Sequence, residues 1–198
     1  MIAIIDNGGA NIASIVFALE RLGYEAKLTS DKALIAQAER VILPGVGSAK
    51  PAMQRLQQLD LVDTLRDLKQ PVLAICLGMQ LLYEYSTEGD VPCLGIMPGK
   101  IDAIDMQTGL TIPDMGWNQL QMTQKTALLN DIPESSYVYF VHSFAAPVNN
   151  CTCATMQYGA SYTAVSQHNN FFAVQFHPER SADVGEQILS NFVNIQEI

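Results

Sequence analysis

The chain has 198 residues, 48% hydrophobic and 16% charged, with a net charge of −9. That is enough apolar chain for one well-filled core, so a single domain over residues 1–198 is expected. The second half, 101–198, holds only Lys125 and Arg180 against nine acids, and a chain with no basic stripe is excluded as a binder of nucleic acid or of anionic membrane surfaces, which leaves a protein or small-molecule partner.

MIAIID (1–6) reads as a first strand. It has no basic n-region, and no apolar run approaches the roughly 18 residues of a membrane span, so a cytoplasmic protein without a signal peptide is expected. Asn11 is placed to cap a helix reaching about Leu22, with Ile12, Ile15, Val16 and Leu19 at helical spacing, and Gly23 ends it. YEAKLT (24–29) reads as strand, and Ser30 is expected to cap a short helix, DKALIAQAE. RVIL (40–43) is a third strand and runs into PGVGSA. Helices over about 51–59 and 61–68 lead to Pro71, and VLAIC (72–76) is a fourth strand followed by a helical segment. Alternating strand and helix implies a parallel sheet with helices on both faces.

From residue 99 onward the pattern changes. Strand candidates follow one another at 99–105, 116–122, 137–144, 153–158, 162–167 and 171–177, punctuated by Gly, Pro and Asn, and a helix over about 182–194 closes the chain. The expected fold is α/β, a mixed sheet with a parallel core flanked by helices and an antiparallel extension.

The four cysteines, Cys76, Cys93, Cys151 and Cys153, should be reduced in the cytoplasm, and Cys151-Thr-Cys153 is not the C-x-x-C of a redox pair or zinc site. No histidine or cysteine has metal-ligand spacing, so neither metal nor cofactor is expected. Cys76 differs from the rest because it ends a strand where a helix begins, at the carboxyl rim of the sheet where α/β proteins collect reactive groups. A buried structural thiol is the plain reading. Ala74-Ile75-Cys76-Leu77-Gly78, however, fits a nucleophile elbow, which needs small residues two before and two after the nucleophile. The start of the following helix favours the thiolate, and the Leu77 N–H is free to donate to an oxyanion.

Such a thiol needs a base. Of three histidines, His168 lies in a turn-like SQHNN and His142 within a strand, whereas His177 stands in FHPE at a strand end. Pro178 biases His177 to extended backbone, where residues i and i+2 share a side, so Glu179 should orient the imidazole. The glycines of PGVGSA lie at another strand end and suit a close approach of backbone to a ligand.

AICLGMQLL with a distant FHPE resembles the triad-type, class I glutamine amidotransferases, whose flavodoxin-like fold the expected sheet matches. The resemblance implies Cys76 as nucleophile on the glutamine amide, His177 as acid/base and Glu179 as its orienting partner, with a thioester, glutamate and ammonia as consequences. It further implies Gln80, Ser143, Phe144 and Gly45 at the substrate, and Leu77, Val46 and Gly47 as backbone donors to the oxyanion. PGVGSA, MGWN (115–118), YVYFVHSF and QFHPERS, in this order along nearly the whole chain, are similar to the glutaminase subunits of imidazole glycerol phosphate synthases. That family passes ammonia to a cyclase subunit in a heterodimer of histidine biosynthesis, which would put Asn11, Trp117 and Arg180 at the partner interface. Ala74 and Ala10 stand where the family commonly has glycine. Another amidotransferase's glutaminase, or a cysteine hydrolase on the same elbow, are the alternatives.

Overall fold

The computed structural model describes residues 1–8, 12–105 and 109–196. Its first half is a run of strand–helix units. These are β1 (Ile2–Ile5), α1 (Ile12–Arg21), β2 (Ala26–Thr29), α2 (Lys32–Gln37), β3 (Arg40–Gly45), α3 (Ala49–Gln58), α4 (Val62–Arg66), β4 (Val72–Cys76) and α5 (Leu77–Leu81). There follow β5 (Tyr83–Ser86), β6 (Val91–Pro92), β7 (Met97–Ala103), β8 (Asp114–Gln119), β9 (Gln121–Met122), β10 (Tyr137–His142) and β11 (Phe144–Ala145). The chain closes with β12 (Thr152–Tyr158), β13 (Ala160–His168), β14 (Phe171–Val174) and α6 (Ala182–Asn194).

Among the described residues the main sheet has eight strands in the order β2-β1-β3-β4-β14-β13-β12-β9. The first five are mutually parallel and the last three antiparallel, as the expected parallel core with its extension requires. Counting β14 as the fifth parallel strand, the order is 2-1-3-4-5, the flavodoxin-like doubly wound arrangement. Two smaller sheets, β10-β8 and β11-β7-β5-β6, lie beside it.

The central strands are apolar on both faces because both are covered. Along β1, Ile2 and Ile4 join the cluster that holds Ile15 and Leu19 of α1 and Ile188, Leu189 and Phe192 of α6. Ala3 and Ile5 point to the opposite cluster, with Ile35, Met53, Leu56, Leu65 and Leu81 from α2 to α5. Leu73 and Ile75 against Val72 and Ala74 repeat this alternation in β4. This two-sided burial positions the site, since it fixes β3, β4 and β14 side by side with their carboxyl ends on one rim.

Three expectations needed correction. Asp31, not Ser30, caps α2, because its carboxylate accepts from the N–H groups of Ala33 and Leu34. The helical segment after Cys76 is short, and Tyr83–Ser86 is strand, with parallel pairing to β7. The strand expected to run to His177 ends at Val174, because the His177 N–H leaves the main sheet and donates to Tyr139 O at 2.9 Å in β10. The expected cap at Asn11 and the substitution at Ala10 lie outside the described residues. No helix of the described residues is long and apolar enough to cross a membrane.

Candidate active site

Cys76 sits at the junction of β4 and α5 with φ +54° and ψ −113°. A non-glycine residue there stores about 1–3 kcal/mol of strain, held by packing on both sides. The small residue at 78 is demanded by the neighbouring strand, not by Ala74 across the turn. A Cβ on Gly78 would lie 2.0 Å from Leu43 O of β3, and one on Gly45 would lie 2.5 Å from Gly78 N. The glycines let β3 and α5 touch backbone to backbone, which lifts the thiol to the rim. Leu77 is the first residue of α5, so its N–H has no intrahelical acceptor.

His177 meets Glu179, its Nδ1 2.9 Å from Glu179 Oε1. The pairing is the expected one, but its geometry is not that of an extended chain. Pro178–Arg180 forms a 3₁₀ turn, and the turn brings Glu179 back under the imidazole. The Ser181 hydroxyl clamps this turn by donating to His177 O at 2.7 Å and accepting from Tyr139 N–H at 3.0 Å. Burial acts to push the His177 pKa down, but hydrogen bonds to Cys76 and Glu179, and their negative charges, outweigh it and raise the pKa to about 10. A base raised in this way stabilises the fold fully below its unfolded pKa of about 6.5, and that contribution is lost as pH rises toward about 10. The melting temperature of the parent should therefore fall more steeply between about pH 7 and 10 than that of His177→Asn. Parallel curves for the two proteins would refute the imidazolium pairing.

A cavity of about 300 Å³ opens on Cys76 and His177, within the range of small-molecule sites. Val46, Gly47, Leu77, Gln80, Ser143 and Phe144 line it, so most of the residues expected at the oxyanion and the substrate are brought together. Gly47 has φ +95° and open space beside it. Gly45 takes a different place, packed against Leu77 and Gly78 behind the cavity.

Several contributors carry no sign in the sequence. Glu88 lines the cavity and supplies its carboxylate, and its Oε2 accepts from Ala49 N–H at 2.7 Å at the start of α3. Burial raises its pKa. His142, at the end of β10, is buried with its Nδ1 on Phe144 O at 2.8 Å, while its Nε2 lacks a hydrogen-bond partner and lies 3.7 Å from Asp114. Burial holds the His142 pKa down at about 4, so this imidazole is neutral. His168 lies at the β13–β14 hairpin against Cys151 Sγ at 3.8 Å, outside the cavity lining. Among the described residues no group of three or more His, Cys, Asp or Glu side chains is placed to hold a metal.

Trp117 is not a core residue, being 52% exposed on β8. Its ring meets Tyr139 edge-on with centroids 6.0 Å apart, and the Arg180 guanidinium lies 5.4 Å over the Tyr139 ring. Met115, Trp117 and Tyr137 are all exposed. Pairing of Trp117 with Tyr139 and of Met115 with Val141 puts these side chains on one outer face of the β8–β10 ribbon. The adjacent Asp114, Phe140 and His142 are buried on the inner face. Asn11 lies outside the described residues.

The thiol elbow, the imidazole–carboxylate pair and the doubly wound sheet coincide with a sequence match over residues 3–195 to the class-I glutamine amidotransferases. The chain belongs to that family, and within it to the HisH subunits of imidazole glycerol phosphate synthase. It is 51% identical over 194 residues to the HisH subunit of Xanthomonas axonopodis pv. citri, covering 98% of this chain and 97% of that one. It is 48% identical over 196 residues to HisH 2 of Legionella pneumophila strain Paris, covering 99% and 98%. Among solved structures, a putative GMP synthase subunit from Thermoplasma acidophilum superposes with a TM-score of 0.76 at 19% identity, covering 97% of this chain and 91% of that one. PurLQS from Thermotoga maritima gives 0.73 at 18%, covering 98% and 97%. At these identities the structural likeness speaks for the fold, which is that of the amidotransferase domains.

Proposed function

We propose that residues 1–198 form one glutaminase domain, cytoplasmic and without metal or cofactor, which hydrolyses glutamine to glutamate and ammonia. In this reading Cys76 Sγ attacks the side-chain amide carbon of glutamine. The Leu77 N–H and the loop at Val46 and Gly47 hold the oxyanion. His177 gives its proton to the departing ammonia, and the thioester remains. His177 then takes a proton from water as the water attacks the thioester, and glutamate leaves with the Cys76 thiolate and the His177 imidazolium restored. Glu179 holds the imidazole in one orientation throughout. The observation that carries the reading is the placement of Cys76 and His177 on one 300 Å³ cavity, with Glu179 on the imidazole's far nitrogen.

Gln80, Ser143 and Phe144 are assigned to the amino-acid end of the substrate. Glu88 faces the same cavity and is the group suited to an α-ammonium. Glu88→Gln, which keeps an acceptor for Ala49 N–H, should raise KM for glutamine about tenfold, with a smaller change in kcat. An unchanged KM would remove Glu88 from the substrate site.

The HisH relatives are named as subunits of a synthase, and the outer ribbon face of Met115, Trp117 and Tyr139, with Arg180 of the neighbouring turn over the Tyr139 ring, has the aromatic and Arg content of an interface centre. Gly45 is assigned to shaping the elbow. The proposed partner is a cyclase subunit in a heterodimer, which uses the ammonia to make imidazole glycerol phosphate and an aminoimidazole carboxamide ribotide in histidine biosynthesis. The test is glutamate release from glutamine by the chain alone and with a cyclase subunit carrying its nucleotide ligand, with Cys76→Ser as blank. Stimulation by the loaded partner is expected. Full activity alone, indifferent to the partner, would keep the glutaminase and remove the synthase.

A further inference from the structure

Behind the nucleophile lies a buried amide that the triad does not use. Gln175 follows β14, is 0% exposed, and extends the β13 pairing by one residue through its N–H on Ala164 O at 2.9 Å. Its Oε1 accepts from Gln80 Nε2 at 3.0 Å, and its Nε2 donates to Cys76 Sγ at 3.8 Å. Gln80 Nε2 makes a second bond, to Phe144 O at 2.8 Å, and that oxygen also meets His142 Nδ1 at 2.8 Å. A line of polar contacts thus runs from the reacting sulfur, through two side-chain amides, to the strand end that lines the substrate cavity.

Burying a primary amide is unfavourable unless its groups are hydrogen-bonded, and a methionine would fill similar space without that cost. The amide therefore needs a reason. An N–H aimed at sulfur is weak for a thiol and stronger for a thiolate, so it favours the charged form. Both N–H groups of Gln80 are spent on Phe144 O and Gln175 Oε1, which sets the orientation of the Gln80 amide and leaves its carbonyl oxygen for a substrate donor.

We propose that Gln175 is a positioning residue, which supplies the Cys76 sulfur with a neutral N–H donor beside the His177 imidazole and holds the Gln80 amide in the orientation that receives glutamine. The proposal rests on Cys76 being the nucleophile. Two variants separate its parts. Gln175→Glu keeps an acceptor for Gln80 but sets a carboxylate against the sulfur. Gln175→Met keeps the volume and removes both contacts.

The measurement is the rate of Cys76 alkylation by iodoacetamide against pH in the full-length chain, with the alkylated cysteine located by mass spectrometry. It is accompanied by kcat and KM for glutamine with the cyclase subunit. The titratable groups around Cys76, namely His177 with Glu179 behind it, His142 and Glu88, are common to all the proteins. A shift between variants therefore reports on residue 175. Both variants should titrate at higher pH than the parent and react about tenfold more slowly at neutral pH. The Glu variant should lose kcat by about tenfold to a hundredfold with KM little changed, the loss of one hydrogen bond to a charged group. The Met variant should also raise KM. Unchanged alkylation profiles in variants that melt like the parent would overturn the role of Gln175 and leave the glutaminase reading intact. If neither variant melts like the parent, the amide is structural and the proposal is wrong. If Cys76 in the parent reacts no faster than Cys93, Cys151 and Cys153, both readings fall together.

Discussion

If Cys76 is the nucleophile of the proposed glutaminase, Cys76→Ala should lower glutamate release by about four to six orders of magnitude, leaving only the residual effect of binding and oxyanion stabilisation. Stability should respond separately. With φ at +54°, residue 76 occupies a conformation that glycine adopts without penalty and alanine does not. Cys76→Gly should therefore be equally inactive yet more stable than Cys76→Ala, by about 1–2 kcal/mol. That reverses the usual order, in which glycine is the weaker residue. Glutamate assays and thermal melts of the two variants check both halves. Residual turnover near the parent's would remove Cys76 from the chemistry. A glycine variant melting below the alanine variant would show that the elbow is unstrained.

Gly185→Ala carries the second large effect. Gly185 sits inside α6, where alanine would add about 1 kcal/mol of helix propensity. A Cβ at this position, however, would lie 1.9 Å from Pro178 O and 2.9 Å from Ser181 Cβ. The obstructing atom is backbone and cannot rotate aside, so α6 and the turn must part. Overpacking costs about 1–3 kcal/mol, and a clash with backbone lies at the upper end, about 3 kcal/mol, which exceeds the propensity gain. A net loss of about 2 kcal/mol should lower the melting temperature by about 4–8 °C. The Pro178–Arg180 turn carries Glu179, so glutamate release should fall by at least about tenfold even where the variant is folded. A variant that melts and turns over like the parent would refute this account of how Glu179 is held.

Much of the site is legible along the chain because its parts are local. VLAIC followed by LGMQ marks a strand running into a helix through a thiol, and the strand and elbow are found at those residues. FHPE marks the imidazole and its carboxylate, and the two meet, although a turn and not an extended strand joins them. Pro178 predicts an extended backbone. It enforces one at His177 but then opens the 3₁₀ turn, in keeping with the preference of proline for the first position of a helical turn.

Local pattern was enough for the two-sided cover of the central strands, the change from strand–helix units to successive strands, and the meeting of His177 with Glu179. Each of these depends on periodicity or spacing within about ten residues. It took the folded chain to settle the partners of Gly78 and Gly185, the exposure of Trp117, and the convergence of Glu88 and Gln175 on the site of Cys76. Gln175 and Cys76 are 99 positions apart and meet because β14 returns to pair with β4. Glu88 reaches Ala49 across 39 positions. Contacts of that kind depend on how whole strands are ordered in the sheet, and a single residue in an apolar run carries no local sign of which neighbour the sheet will bring to it.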